Sequence, residues 1–370
     1  MKLSITPLLE SVGLCLTLCA VACGSGGGSS RSSGAATGED FTLVLADTVN
    51  NVIVPTYASL HARAADMSAC VAQLEATPDE AQLTKCRNAW IAARVPWEQS
   101  EGFLFGPVTD EGLDPAMDTW PVDHQQLNAL LASTVELSAD SIASNLGGGL
   151  KGFHTIEYLL WGMNHERTAS DLASSPREMK YLLALTEALS NDTKQLVESW
   201  TGIDGKPGFG QKFAAAGTSA GLYSLQIDAV QELIGGMIEI CDEVAFGKIA
   251  EPYKARDPNL VESQFSYNSL LDFADNIRSI QNIYFASRDQ TPAINSLSKI
   301  VAKYAPEADA RIIEQIDRSI GAIQAIGADG VTFRDAVMDS KYDAVIVNAQ
   351  TEIGTLMDRF SGEVLPLFAR

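Results

Sequence analysis

The sequence predicts an all-α fold made of two helical bundles packed together, and three observations carry that expectation. After about Asp40, apolar residues recur at three- and four-residue intervals, the repeat of one helical face. Alternating strand-like patterns are scarce. Pro and Gly punctuate the periodic stretches, and the connections are mostly short, which favours antiparallel neighbours. The periodicity places helices near 41–76, 79–104, 122–145, 150–163, 176–200, 214–250, 260–286, 304–327 and 341–367. The Gly-rich stretch "TGIDGKPGFGQ", Thr201 to Gln211, lies near the midpoint. It is read as the division between an N-terminal bundle, 40–205, and a C-terminal bundle, 206–370. No exact repeat relates the two.

Composition bounds the function. With 46% hydrophobic residues, a 370-residue chain has enough apolar material for a substantial core. Acidic residues outnumber basic ones 47 to 26, for a net charge of -21. That balance argues against nucleic acid, whose phosphates are neutralised by Lys and Arg. It also disfavours anionic membrane surfaces and raises the local concentration of cations.

The N-terminus reads as an address. Met1–Lys2 is a basic start, and "LLESVGLCLTLCAVAC" is an apolar run, interrupted by Glu10, that ends in small residues. "CAVAC" resembles a bacterial lipobox, with cleavage expected after residue 22 and lipid attachment at Cys23. Ala20 stands where leucine is commoner, and an ordinary cleaved signal peptide is the alternative. Residues 23–39 then form a Gly/Ser tether spanning roughly 20–25 Å. The expectation is an exported protein of the outer membrane or cell envelope, facing the periplasm or the surface and held to the membrane only by lipid. No later stretch has the roughly 18 consecutive apolar residues of a membrane span.

Cysteine usage agrees with export. Beyond residue 23 only Cys70, Cys86 and Cys241 remain. Cys70 and Cys86 flank the turn expected at "EATPDEAQ" between two helical patterns, which favours a disulfide across a helical hairpin. Cys241 is left as a buried thiol.

The chemistry concentrates in "GFHTIEYLLWG", Gly152 to Gly162. His154 and Glu157, three apart, share a helical face in a segment that is otherwise apolar or aromatic. Burying them is costly unless each is bonded, paired or metal-bound. The residues alone leave open a purely structural pair and a metal site. A second pair, Glu98 and Glu101 in "RVPWEQSEGFLFGP", would complete three carboxylates and one imidazole, about half of a carboxylate-bridged centre in a bundle. The alternative there is a solvated helix face. Pro96 is expected to kink or begin a helix. Ser100 is a ligand neighbour or a nucleophile without an evident base. In Glu262 to Phe285, Ser266, Ser269, Asp272 and Asn276 form a polar stripe, either solvent-facing or lining a groove between domains. His61, His124 and His165 are read as structural or surface residues. No Walker loop, GxGxxG after a strand or GxSxG elbow is present.

These residues resemble a known family. "GFHTIEYLLWG" is similar to the GxHxxE signature of imelysin-like proteins, with Gly152, His154 and Glu157 in the signature positions. "PWEQSEGFLFGPV" with "DPAMDTWPVD" resembles its other N-terminal hallmark, and "FSYNSLLDFADNIRSIQNIY" its C-terminal one. The most similar subgroup includes iron-regulated, lipid-anchored or periplasmic bacterial proteins. The resemblance implies a double helical bundle with the signature near the interface of the halves. The family's association with proteolysis implies His154 and Glu157 as metal-binding or catalytic, whereas its links to iron uptake imply metal binding or sensing.

Three functions follow as expectations. The first is a metal-binding lipoprotein using His154, Glu157, Glu98 and Glu101, with iron favoured and zinc or calcium as alternatives. The second is a metallopeptidase in which Glu157 or Glu101 activates water. The third is a ligand- or partner-binding module with a structural His–Glu pair.

Overall fold

The structure is a computed structural model that describes residues 34–370. The leader and Cys23 lie outside the described residues. Eight long or central helices organise the chain: α1 (Val54–Ala76), α2 (Glu80–Glu98), α3 (Gly152–Trp161), α4 (Pro176–Thr201), α5 (Gln226–Asp242), α6 (Ser269–Phe285), α7 (Pro306–Ile326) and α8 (Asp343–Arg359). Shorter helices and turns connect them, and there is no strand among the described residues. The expected all-helical class is what is found.

Each helix exists because it has one face to bury. In α2 the buried positions Leu83, Cys86, Trp90, Ala93, Arg94, Trp97 and Glu98 fall three or four apart. The stripe begins apolar and turns ionic in its last two turns, so α2 delivers two charges into the interior. Asp79 starts the helix by accepting from the Gln82 amide at 2.7 Å. Pro96 sits in the last turn without ending the helix, which runs to Glu98.

α1 packs against both α2 and α4, while α7 packs against α6 and α8. The two groups meet where α6 crosses α2 and where α5 lies on the 3-10 turn Glu101–Phe103. All polar residues that matter below lie at this meeting.

Several expected helices are divided by local chemistry. The span 122–145 is two helices, His124–Ala132 and Ala139–Asn145, the second capped by the Ser138 side chain. The span 214–250 is interrupted by a Gly/Ser/Thr-rich connection before α5, where Gly217 adopts φ +82°. α6 begins only at Ser269, after a loop in which Ser263 and Tyr267 take φ of 51° and 65°. Pro306 starts α7 afresh after the separate helix Leu297–Tyr304, since it lacks the N–H that continuity would need.

Cys70 and Cys86 form a disulfide across the α1–α2 hairpin, with Cα atoms 5.4 Å apart, and Cys241 is a buried free thiol. The bridge closes a loop of 16 residues. Replacing both cysteines with alanine is expected to cost about 3 kcal/mol through loop-closure entropy alone. Urea unfolding of the double variant, beside the oxidised parent, measures it.

Candidate metal centre

α3 is buried on nearly every side: His154 and Glu157 have no solvent exposure, and only Tyr158 is partly open. Gly152 explains how the helix starts in so tight a place. It adopts φ +78°, and a Cβ there would collide with the Met117 carbonyl. The glycine thus lets the segment ending at Asp118 lie directly over the first turn of α3. The Trp120 ring stands edge-on to the His154 ring, with centroids 5.0 Å apart.

The two nitrogens of His154 have different settings. Nδ1 is 3.2 Å from Glu157 Oε2. Nε2 faces Asp118 Oδ1 at 3.1 Å and Glu262 Oε1 at 3.7 Å, yet it is fully buried and makes no hydrogen bond. The separation from Asp118 is short, but the oxygen is off the line of an N–H donor. Glu157 has no oxygen to spare. Its Oε1 accepts from the Phe265 amide at 3.0 Å and from the Ser266 amide and hydroxyl, both at 2.7 Å. Glu157 therefore fixes the imidazole with one oxygen and the 263–268 loop with the other.

Arg94, fully buried, is the hub of the acidic groups. It pairs with Glu98 one turn along α2, with Asp118 at 2.5 Å, with Glu262 at 2.9 Å and with Asp272 at 3.5 Å. Trp97 Nε1 donates to Asp118 at 2.6 Å. Asn276 donates to Glu98, and Ser263 and Asn268 donate to Asp272. Lys248 enters from the π-helical turn Glu243–Ile249, with Nζ 3.0 Å from Glu262 and 3.5 Å from Glu243. Seven carboxylates, Glu98, Glu101, Asp118, Glu157, Glu243, Glu262 and Asp272, thus surround two fixed cations and one imidazole.

The charges shift one another accordingly. Burial opposes a charged His154, but Asp118, Glu157 and Glu262 outweigh it and raise its pKa well above the ordinary value. Burial likewise opposes ionisation of Asp118 and Glu262, but cationic neighbours prevail. Asp118 is held well below the carboxylate range, chiefly by Arg94 and His154, and Glu262 at about 2, chiefly by Lys248. Glu101 is pushed the other way, by burial first and then by Glu243, Asp118 and Glu262. Asp114 and Asp272 rise to about 6, mainly through burial.

Two groups could each grip an ion: Asp118, His154 and Glu262, and Glu98, Glu101 and Asp118. Within each, donor atoms lie inside 4.8 Å of one another, compatible with an ion about 2.0–2.6 Å from each donor. An orphaned imidazole nitrogen facing two ionised carboxylates suits a metal, and the Nδ1–Glu157 contact is the usual orienting bond of a metal-bound histidine. A cavity of about 380 Å³, lined by Glu101, Asp114, Asp118, Trp120, Lys248 and Glu262 among others, opens beside the donors.

Of the residues singled out from sequence, His154, Glu98 and Glu101 all reach this cluster. Glu157 touches His154 but belongs to neither donor group. Ser100 donates to the Trp97 carbonyl at 2.6 Å and faces its own chain. Ser269, Asp272 and Asn276 are buried, the last two against Arg94 and Glu98 of α2, and Ser266 is half-buried on Glu157, so the stripe faces inward and not to solvent. His61 contacts Thr193, His124 packs on Tyr158, and His165 stacks on Tyr267. Arg94, Asp118, Lys248 and Glu262 escaped the sequence reading. Asp118 and Glu262 sit in irregular segments with no periodicity to flag them, although both lie in or beside the quoted stretches.

A protonated His154 has a consequence for ions. An elevated imidazole pKa adds stability that is complete below about pH 6.5 and fades as pH climbs through the raised value. An ion on Nε2 must displace that proton. Apparent affinity is therefore expected to rise with pH, by up to about tenfold per unit for as long as the imidazole stays protonated, with about one proton released per ion. Calorimetry in buffers of different ionisation enthalpy checks both.

Among the described residues, the fold and this cluster define an all-helical protein with a histidine-centred polar site buried where two helix groups meet. The sequence profile of the imelysin family matches residues 53–360, so the chain belongs to the imelysin family. It is 32% identical, over 86% of this chain and 84% of the relative, to iron-regulated protein A of Synechococcus elongatus. A crystal structure from Parabacteroides distasonis, provisionally an iron-regulated protein A precursor, superposes with a TM-score of 0.75 at 28% identity. The match covers 89% of this chain and 98% of that one. An imelysin-like protein from Psychrobacter arcticum shares the fold, with a TM-score of 0.69 at 12% identity over 88% and 95% of the chains.

Proposed function

We propose that this protein is an exported, lipid-tethered binder of metal ions, iron foremost, with Asp118, His154 and Glu262 as donors. The observation that carries the reading is the buried, bond-less Nε2 of His154, aimed between two ionised carboxylates beside an open cavity. A buried ring nitrogen that faces two carboxylates without an aligned hydrogen bond to either is a better fit to a metal ligand than to a satisfied structural imidazole. Oxygen-rich donors with one nitrogen favour iron over zinc, and the relative's name as an iron-regulated protein points the same way. Glu157 serves as the orienting residue behind His154, and Glu98 and Glu101 as carboxylates beside the first ion.

The peptidase alternative gains nothing from Glu157. Both its oxygens are committed to hydrogen bonds, so Glu157 is not free to activate a water, and that reading would rest on Glu101 alone. Envelope attachment rests on the lipobox-like "CAVAC" before Cys23 and on the Gly/Ser tether. Among the described residues no helix is long and apolar enough to cross a membrane.

Anaerobic titration with Fe²⁺, Zn²⁺ and Ca²⁺, with bound metal counted after dialysis, tests the assignment. Tightest retention of iron is expected. Equal retention by His154→Ala would remove the site. Radiolabelled palmitate incorporation, lost in Cys23→Ser, tests the anchor.

A further inference from the structure

Lys248 stands in a place that the metal-binding reading does not use. Its ammonium lies 3.0 Å from Glu262, 3.9 Å from Glu98 and 4.0 Å from Glu101, with almost no solvent exposure. The π-helical turn puts it there. At the wider pitch of that turn, Glu243 and Lys248, five apart, approach within 3.5 Å, and the side chain is directed inward.

Glu101 is the second observation. It is 93% buried, being 7% exposed, and no hydrogen bond reaches its carboxylate among the described residues. Its nearest charged partner is Lys248 at 4.0 Å, beyond hydrogen-bond range. It borders both the 380 Å³ cavity and a neighbouring acidic cleft of about 610 Å³. A buried carboxylate in such a place lacks a close counter-charge. Glu98, Glu101 and Asp118 nonetheless offer donor atoms within 4.8 Å of one another, and Asp118 also serves the His154 group.

We propose that Glu98, Glu101 and Asp118 form a second cation position sharing Asp118 with the first, and that the Lys248 ammonium, nearest Glu262 but 3.9 Å from Glu98 and 4.0 Å from Glu101, stands at its edge as a tethered cation in place of an ion. Lysine so limits the native protein to one ion, where an apolar residue at 248 would leave room for a carboxylate-bridged pair. The charge of an ammonium satisfies the carboxylates without the short bonds a divalent ion would make, so Glu101 is left at arm's length. This inference rests on the reading of the first site.

The test counts Mn²⁺, a hard divalent probe, by equilibrium dialysis of the full mature chain. Lys248→Met is expected to bind one more ion per chain than the parent, and its Mn²⁺ resonance to change from an isolated to a coupled spectrum. Adding Glu101→Gln to Lys248→Met should remove the additional ion. Adding His154→Ala instead should remove the first and leave the additional one. Should Lys248→Met need ions to fold, the count is taken after refolding in Mn²⁺. No additional ion, or no folding even with Mn²⁺, overturns the proposal. Equal binding by the parent and His154→Ala would defeat the first site instead, while the increment still judges the second.

Discussion

His154→Ala is expected to lower affinity for the preferred ion by well over 100-fold, while Glu157→Gln lowers it only about 10–100-fold. The contrast follows from geometry. Nε2 of His154 faces Asp118 and Glu262 and would bond the ion directly, whereas Glu157 holds the ring from behind through Nδ1. In Glu157→Gln the amide nitrogen would have to replace an oxygen that accepts from backbone or from imidazole. The ring then loses a fixed tautomer and the 263–268 loop loses an anchor, but the donor survives. Calorimetric titration of both variants, with circular dichroism to confirm helix content, separates them. Equal losses would place Glu157 among the donors, as the bare HxxE spacing suggested.

Arg94→Met should be the most damaging single change to stability without an ion, costing about 3–5 kcal/mol. The loss comes less from the ion pairs themselves than from what remains. Glu98, Asp118, Glu262 and Asp272 all turn toward one guanidinium that is wholly shielded from water. Removing it leaves buried anions with only Lys248 and His154 to offset them. Denaturant unfolding of the metal-free protein measures the cost. A saturating divalent cation should return part of it, because an ion beside Asp118 and Glu262 supplies positive charge where the arginine did. A loss below about 1 kcal/mol would mean that the cluster is far better hydrated than its burial indicates.

The residues that sequence reasoning could find were those whose environment is local. His154 and Glu157 are flagged by the apolar helix around them, and Glu98 and Glu101 by flanking aromatics, because burial of a helical face can be read from spacing. The helical class was legible for the same reason. Arg94 was not: on α2 it continues the apolar stripe of Trp90 and Ala93, but a charged residue in an amphipathic pattern reads as surface. Lys248 depends on a π-helical turn that no spacing rule announces. Asp118 and Glu262 reach His154 only because Gly152 admits one segment and the loop before α6 brings in the other. Helix ends were missed where caps and positive φ decide them, as at Ser138 and in the 263–268 loop.

Asp118, His154 and Glu262 come from three distant stretches of the polypeptide, and no segment shorter than 118–262 contains them all. A ribosome must pass Glu262, and the product must finish collapsing, before any of these atoms can act together. An ion held by all three atoms therefore requires the chain from 118 to 262 to have folded together first.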